Sequence, residues 1–416
     1  MKLYITLLRE SLLFAIQALR VNRLRTVLSL LGVTIGIFAI IFVFTLVDSL
    51  ENSIRGSIES LGDNVVFVQK WPWTFGQDYP WWKYINRPMP DLDELAFIEK
   101  KSKYAQAACF MIGQMGTADY KDNAFENIEL AAVSYDYHRV KDLQLAAGRY
   151  FTFSESEGGR PYCIIGSDIA GVLFGGGGNP IGKTIEVKRQ KMKVIGVFQR
   201  EGESFLGNSQ DQQIYIPVNF ARKFTDINSP RVNPFIMVKA LPGVSNRQLI
   251  DELTGIMRGV RRLKPKADDN FALNQTSMLT NTFGKLFDVL GIVGGIIGGF
   301  SILVGGFSIA NIMFVSVKER TGLIGIQKSL GAKNFFILFQ FLSEAIFLCV
   351  LGGLFGLLII FLLTMAINAT GSFYVVLSSY NVFIGLSLSV IIGTISGIWP
   401  AYKASQLDPV EAIRMN

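Results

Sequence analysis

The chain has 416 residues, half of them hydrophobic and only 18% charged, with a mean hydropathy of +0.35. That is more apolar surface than a soluble chain of this length needs for its core, and it is gathered into runs. The net charge of +7 comes without a basic stripe or recognition motif, which argues against nucleic acid as a partner, and one histidine (His138) with three cysteines leaves no Cys/His metal centre.

A membrane-crossing helix needs about 20 apolar residues. Residues 1–26 carry Lys2, Arg9, Arg20, Arg23 and Arg25, and 27–47 follow without a charge as the first span. No small-residue cleavage site comes after this run, which reads as a retained anchor. The other spans are expected at 289–317, 335–367 and 374–402. The basic segments, 1–26 and the 318–334 loop with Lys318, Arg320, Lys328 and Lys333, mark the cytoplasm, whereas 368–373 is uncharged. Both termini, including the tail 403–416, are therefore expected inside a multi-pass inner-membrane protein. Residues 48–288 are expected outside.

That outer segment alternates strand and helix signals. Residues 64–68, 128–133, 162–165, 184–198, 213–216 and 235–240 read as strands; 91–101 and 245–262 read as helices, the second capped by Ser245. The expected fold class is a membrane protein of four transmembrane α-helices with a large α+β extracytoplasmic domain inserted between helices 1 and 2. Cys109 and Cys163 both fall in this domain, and spacing leaves their pairing open; Cys349 lies in a span. Four of the five tryptophans, Trp71, Trp73, Trp81 and Trp82, crowd one stretch near Tyr79 and Tyr84. They form either a surface for a substrate or partner, or a loop resting on its own domain or at the membrane interface.

The string GGNPIGKT (177–184) satisfies the phosphate-loop pattern. A phosphate loop needs a strand before it and a helix after it, with free backbone donors. Here glycines precede, a hairpin-like strand follows and Pro180 removes a donor. The segment reads as a turn leading into a strand.

The second span is dense in glycine. Gly291, Gly295, Gly298 and Gly299 are candidates for a close-packed dimer seam, with packing inside one subunit as the alternative. Glu344, two to three turns into the third span, is costly in hydrocarbon and within reach of headgroups or of the 318–334 loop. That loop, KERTGLIGIQKSLGAK, sets apolar Leu323, Ile324 and Ile326 among charged neighbours, with Leu330 four residues beyond Ile326. It suits a short amphipathic helix at the cytoplasmic face, with or without a partner.

KERTGLIGIQKSLGAK followed by QFLSEAIF resembles the cytoplasmic coupling segment of the MacB-like ABC transporter permeases, the group that includes FtsX-type and lipoprotein-release permeases. ESLLFAIQALRVNRLRTVLSLLGVTIGI (10–37) is similar to the amphipathic N-terminal helix and first span of that family, and WPAYKASQLDPVEAIR (399–414) to its C-terminal signature. DLQLAAGRYFTFSE, NPIGKTIEV and VIGVF resemble its periplasmic domain. The resemblance implies a homodimer, or a pairing with a paralogous permease, embedded in membrane lipids and driven by a separate ABC ATPase subunit. Lys318, Glu319 and Arg320 become candidate polar contacts to that ATPase, Leu323, Ile324 and Ile326 packing contacts, and Gly331 part of the same segment.

No catalytic residue, metal or cofactor is expected in this chain; ATP and Mg belong to the ATPase. The implied action is mechanotransmission, with efflux of drugs, peptides or lipid-like molecules, and a periplasmic adaptor and outer-membrane channel as further partners. The alternatives are lipoprotein release and FtsX-like signalling to a cell-wall hydrolase. A membrane enzyme is unsupported, since no nucleophile–base pair is evident.

Overall fold

The computed structural model describes residues 23–59, 62, 64–74, 79–175, 178–202, 209–369 and 374–414. The expected N-terminal amphipathic segment, through residue 22, and most of the uncharged 368–373 loop lie outside them. The elements, in chain order, are α1 (Arg23–Glu59), β1 (Val65–Gln69), α2 (Trp81–Tyr84), α3 (Leu92–Lys101), β2 (Ala105–Tyr120), β3 (Asn123–Val133), α4 (Tyr137–Val140), β4 (Leu145–Gly148), α5 (Phe153–Glu157), β5 (Tyr162–Ile165), α6 (Ser167–Phe174), β6 (Thr184–Val187) and β7 (Gln190–Phe198). They continue with β8 (Gln213–Pro217), α7 (Val218–Ala221), β9 (Phe235–Ala240), α8 (Asn246–Val260), β10 (Ala272–Gln275), α9 (Thr276–Glu319), α10 (Thr321–Ser329), α11 (Asn334–Ala369), α12 (Ser379–Ser405) and α13 (Pro409–Arg414). The chain divides into two compact units, one drawn from Met1–Glu51 and Lys285–Asn416, the other from Asn52–Gly284.

In the first unit, α1, α9, α11 and α12 are long and apolar enough to cross a membrane. They exceed the apolar runs that mark them: α9 has 44 residues, about 66 Å at 1.5 Å per residue, against about 30 Å of hydrocarbon. Hydropathy locates the part that needs lipid, while the helix continues into polar sequence. Small residues let the helices approach. A Cβ on Gly353 would meet Ser389 Oγ, one on Gly397 would meet Ala345, and Val33 of α1 fills the space beside Gly352. One end of the bundle is tied by polar side chains: Asn381 Nδ2 donates to Asp48 at 2.8 Å, and the Val376 amide donates to Ser49 Oγ at 3.1 Å.

The second unit holds a ten-stranded sheet in the order β10-β1-β9-β2-β3-β8-β5-β7-β4, with β6 bridging β2 and β7. The path β2-β3-β8-β5-β7-β6 therefore closes on itself. Both faces of the sheet are buried, so alternate residues of one strand enter different cores. Val66 and Val68 join Phe110 and Ile236 on one face, while Val65 and Phe67 join Cys109 and Tyr215 on the other. This is why β1 reads as an unbroken apolar run. The helices α3 and α8 present Leu95, Ile98, Leu249 and Leu253 to the first face. Each starts at a side-chain cap: Asp91 accepts from the Glu94 amide, and Ser245 forms a reciprocal box with Gln248.

The topology settles the cysteine pairing that the sequence left open and places the phosphate-loop string. Cys109 (β2) and Cys163 (β5) are separated by β3 and β8, about 14 Å at strand spacing, too far for a disulfide; both are buried free thiols. The phosphate-loop string, whose Gly177 lies outside the described residues, joins helix α6 to strand β6. That is the reverse of the strand–loop–helix order phosphate binding requires. Gly182, at φ +83°, makes the turn, and the Lys183 amide donates to Pro180 O at 3.1 Å.

Candidate functional site

The 318–334 segment folds as the last turn of α9, the single junction residue Arg320, and the short helix α10. Lys318 and Glu319 are exposed. Gly331, at φ +99°, terminates the segment: its amide donates to Lys328 O and that of Ala332 to Gln327 O, so its place in the motif is a helix stop.

Helical geometry separates the apolar residues into two sets. Leu323, Ile326 and Leu330 recur at i, i+3 and i+7 and point outward, 60%, 50% and 84% exposed. Ile324, about 100° round the helix, is 2% exposed and belongs to the bundle core with Met313, Val317, Ile337 and Ala404. The expectation that Ile324 forms part of the docking surface is corrected: its contacts are internal. Arg320 also makes an internal contact. Its Nη1 donates to Glu344 Oε2 at 3.2 Å, and its side chain is 22% exposed.

The sequence reading missed the platform beneath α10. Helix α13 lies against it, so close at Gly325 that a Cβ there would meet Ala412 Cβ and Ile413 Cγ1, both at 3.0 Å. Lys328 Nζ donates to Leu407 O at 2.7 Å and fixes the approach to α13. On α13, Val410 and Ile413 remain 68% and 46% exposed. The signal was the small residue in mid-motif, but its partner lies some 90 positions away.

The glycines of α9 divide. Gly298 is buried against α1, where a Cβ would come within 2.5 Å of Ile40, so it closes a contact within the chain rather than a dimer seam. Gly291, Gly295 and Gly299 have nothing within 4 Å of an added Cβ.

The tryptophans divide as well. The Trp73 ring packs on Phe67 at 4.9 Å, and that of Trp71 stands edge-on to Tyr84. Buried Asn274 of β10 holds this turn by accepting from the Trp73 amide and donating to Trp71 O, both at 2.9 Å. Trp81 and Trp82, on α2, are 55% and 59% exposed. Because β10 runs directly into α9, the start of β10 and the tryptophan turn beside it lie at the strand end away from that helix.

Four helices long and apolar enough to cross a membrane, a sheet-rich domain between the first two, and a short helix between the second and third are the architecture of a multi-pass membrane protein. Residues 26–256 match the MacB-like periplasmic core domain, and residues 295–409 match the FtsX-like permease C-terminal domain. The chain belongs to the MacB-like family of ABC transporter permeases. It is 28% identical over 408 residues to the macrolide export ATP-binding/permease protein MacB of Acinetobacter baylyi, covering 98% of this chain and 59% of that protein. With its namesake in Chlorobium phaeobacteroides it shares 29% over 402 residues, 96% of this chain and 60% of that protein. It thus spans about 60% of the length of the curated relatives it matches. A solved periplasmic region of MacB from Actinobacillus actinomycetemcomitans aligns at 18% identity and a TM-score of 0.43, covering 55% of this chain and 95% of that one.

Proposed function

We propose that this chain is the permease of an ATP-driven exporter in the inner membrane, with both termini cytoplasmic. An ABC ATPase, which binds ATP and Mg, grips the 318–333 segment. The observation that carries this reading is the outward apolar set Leu323, Ile326 and Leu330, held on a short helix whose other side is anchored in the bundle. Exposed apolar side chains rimmed by charge are the usual make-up of a protein interface. Lys318 and Glu319 supply the rim.

Closure of the ATPase would displace α10, and with it the unbroken helix α9 and the start of α11. The cargo class is drugs, peptides or lipid-like molecules. The match of 26–256 to the MacB-like periplasmic core favours export over FtsX-like signalling, and an adaptor with an outer-membrane channel fits the same reading. A second copy of the chain is the proposed partner for the open glycine face, Gly291, Gly295 and Gly299. The exposed pair Trp81 and Trp82 is proposed as a contact for cargo or adaptor.

Copurification of a cognate ATPase with the tagged chain tests the reading. Wild type is expected to retain the ATPase, and Leu323→Asp with Glu319→Lys to lose it. An ATPase that never associates under any nucleotide condition would overturn it.

A further inference from the structure

Glu344 is the sole acidic residue of α11, in a stretch that otherwise carries no charge. Its side chain is 3% exposed, and its Oε2 accepts from Arg320 across 24 positions of sequence. Arg320 is the one residue between α9 and α10, with φ −106° and ψ 12°, outside the helical region. Thr321 Oγ1 folds back onto Val317 O at 3.0 Å, and the Ile324 amide donates to Arg320 O at 3.0 Å. The angle between the two helices is therefore set at a single residue, and the side chain of that residue is held by the third span.

A buried carboxylate is retained at a cost unless its partner stays in place. Such a pair is a poor source of stability and a good source of register. We propose that Arg320 and Glu344 are a positioning pair: they clamp the α9–α10 junction to α11, so that force applied to α10 reaches the third span instead of being lost as a swivel at residue 320. The proposal deepens the permease reading and rests on it for the source of the force, but the clamp itself exists in the chain alone.

The experiment uses the full chain in lipid nanodiscs as wild type, Glu344→Gln, Arg320→Gln, Arg320→Lys and the reversal Arg320→Glu with Glu344→Arg. Amide hydrogen exchange of residues 321–329 is measured without ATPase, then ATPase capture and permease-stimulated ATP hydrolysis. Each single neutralisation is expected to speed exchange in α10 by about tenfold, a local opening. Capture should stay within about threefold of wild type while stimulated hydrolysis falls about tenfold. Arg320→Lys, which keeps the charge, should recover most of the protection, and the reversal should recover it in part. Unchanged exchange in both neutralised variants would overturn the clamp. So would loss of capture with unchanged exchange, which would make Arg320 a direct ATPase contact. Failure of both Arg320→Lys and the reversal to recover protection would also count against pairing. If wild type captures no ATPase, the permease reading falls, while the exchange data still decide whether the junction is clamped.

Discussion

Leu323 and Ile324 are adjacent, similar in size and equally apolar, yet the fold exposes one and buries the other, so placing the same aspartate at each gives a sharp contrast. Ile324 is 2% exposed. Replacing it removes about 1.5–3 kcal/mol of burial and sets a carboxylate among Met313, Val317 and Ile337, which adds several kcal/mol more. The expected loss is at least about 4 kcal/mol, enough to release α10 from the bundle. Leu323 is 60% exposed, so Leu323→Asp should cost the isolated chain less than about 1 kcal/mol. If Leu323 anchors the ATPase, its loss removes about 2 kcal/mol of binding, roughly a 30-fold rise in Kd. Thermal unfolding of the purified chain reports the first effect, and titration with ATPase the second. Ile324→Asp should melt early. Leu323→Asp should melt like wild type and bind weakly. An Ile324→Asp variant that melts normally, or a Leu323→Asp variant that binds normally, would refute the division of faces.

The same logic applies to the second span. Gly298→Ala drives a methyl into Ile40, with an expected loss of about 1–3 kcal/mol, whereas Gly299→Ala meets nothing within its own chain and should leave the monomer neutral or gain up to about 1 kcal/mol of helix propensity; melting of the monomeric chain in detergent distinguishes them. Gly325→Leu should lift α13 from α10, read as faster hydrogen exchange in residues 409–414, while Gly325→Ala needs a shift of only a few tenths of an ångström. In the outer domain, the Arg149 guanidinium makes a two-point pair with Glu155 and holds its carboxyl down at about 2. The folded value lies below the unfolded one, near 4.3, so the stabilisation is present above about pH 4.3 and lost as pH falls towards 2. Exchange at residues 149–157 should quicken over that window in wild type, and Arg149→Gln should flatten the dependence.

The spans were legible because hydrocarbon imposes a length on apolar sequence. β1, β5, β8 and β9 were legible because strands buried on both faces are short, β-branched and continuous. The run 184–198 concealed a two-residue turn at Lys188 and Arg189, both at positive φ without a glycine to signal it. β2, the longest strand, escaped notice because half of AQAACFMIGQMGTADY is alanine, glycine and glutamine, which break up the β-branched and aromatic run that marks a strand. It takes its conformation from β3 and β9, which sandwich it. For the candidate site, the motif 318–333 was legible as a unit, but its sequence placed Ile324 in one set with Leu323 and Ile326, and only the packed bundle separates them. The partners of Arg320 and Gly325 were not legible, because they come from α11 and α13, and one-dimensional spacing does not measure contacts that close only when the bundle forms.

These internal contacts bear on how α10 holds its shape. A helix of nine residues is too short to be stable by itself in water, so α10 owes its shape to what it leans on: Ile324 in the core, Gly325 flush against α13, Lys328 on Leu407 O, and Arg320 on Glu344. Each anchor occupies the side facing the bundle, leaving Leu323, Ile326 and Leu330 on the side facing away. A surface held at four points can be pushed without yielding first, which transmission of force requires. An amphipathic helix floating at the membrane surface would have the same apolar pattern but no reason for a buried arginine–glutamate pair or a glycine in contact with the chain's last helix. Those internal contacts, more than the exposed side chains, separate a helix anchored in the bundle from one resting on a membrane.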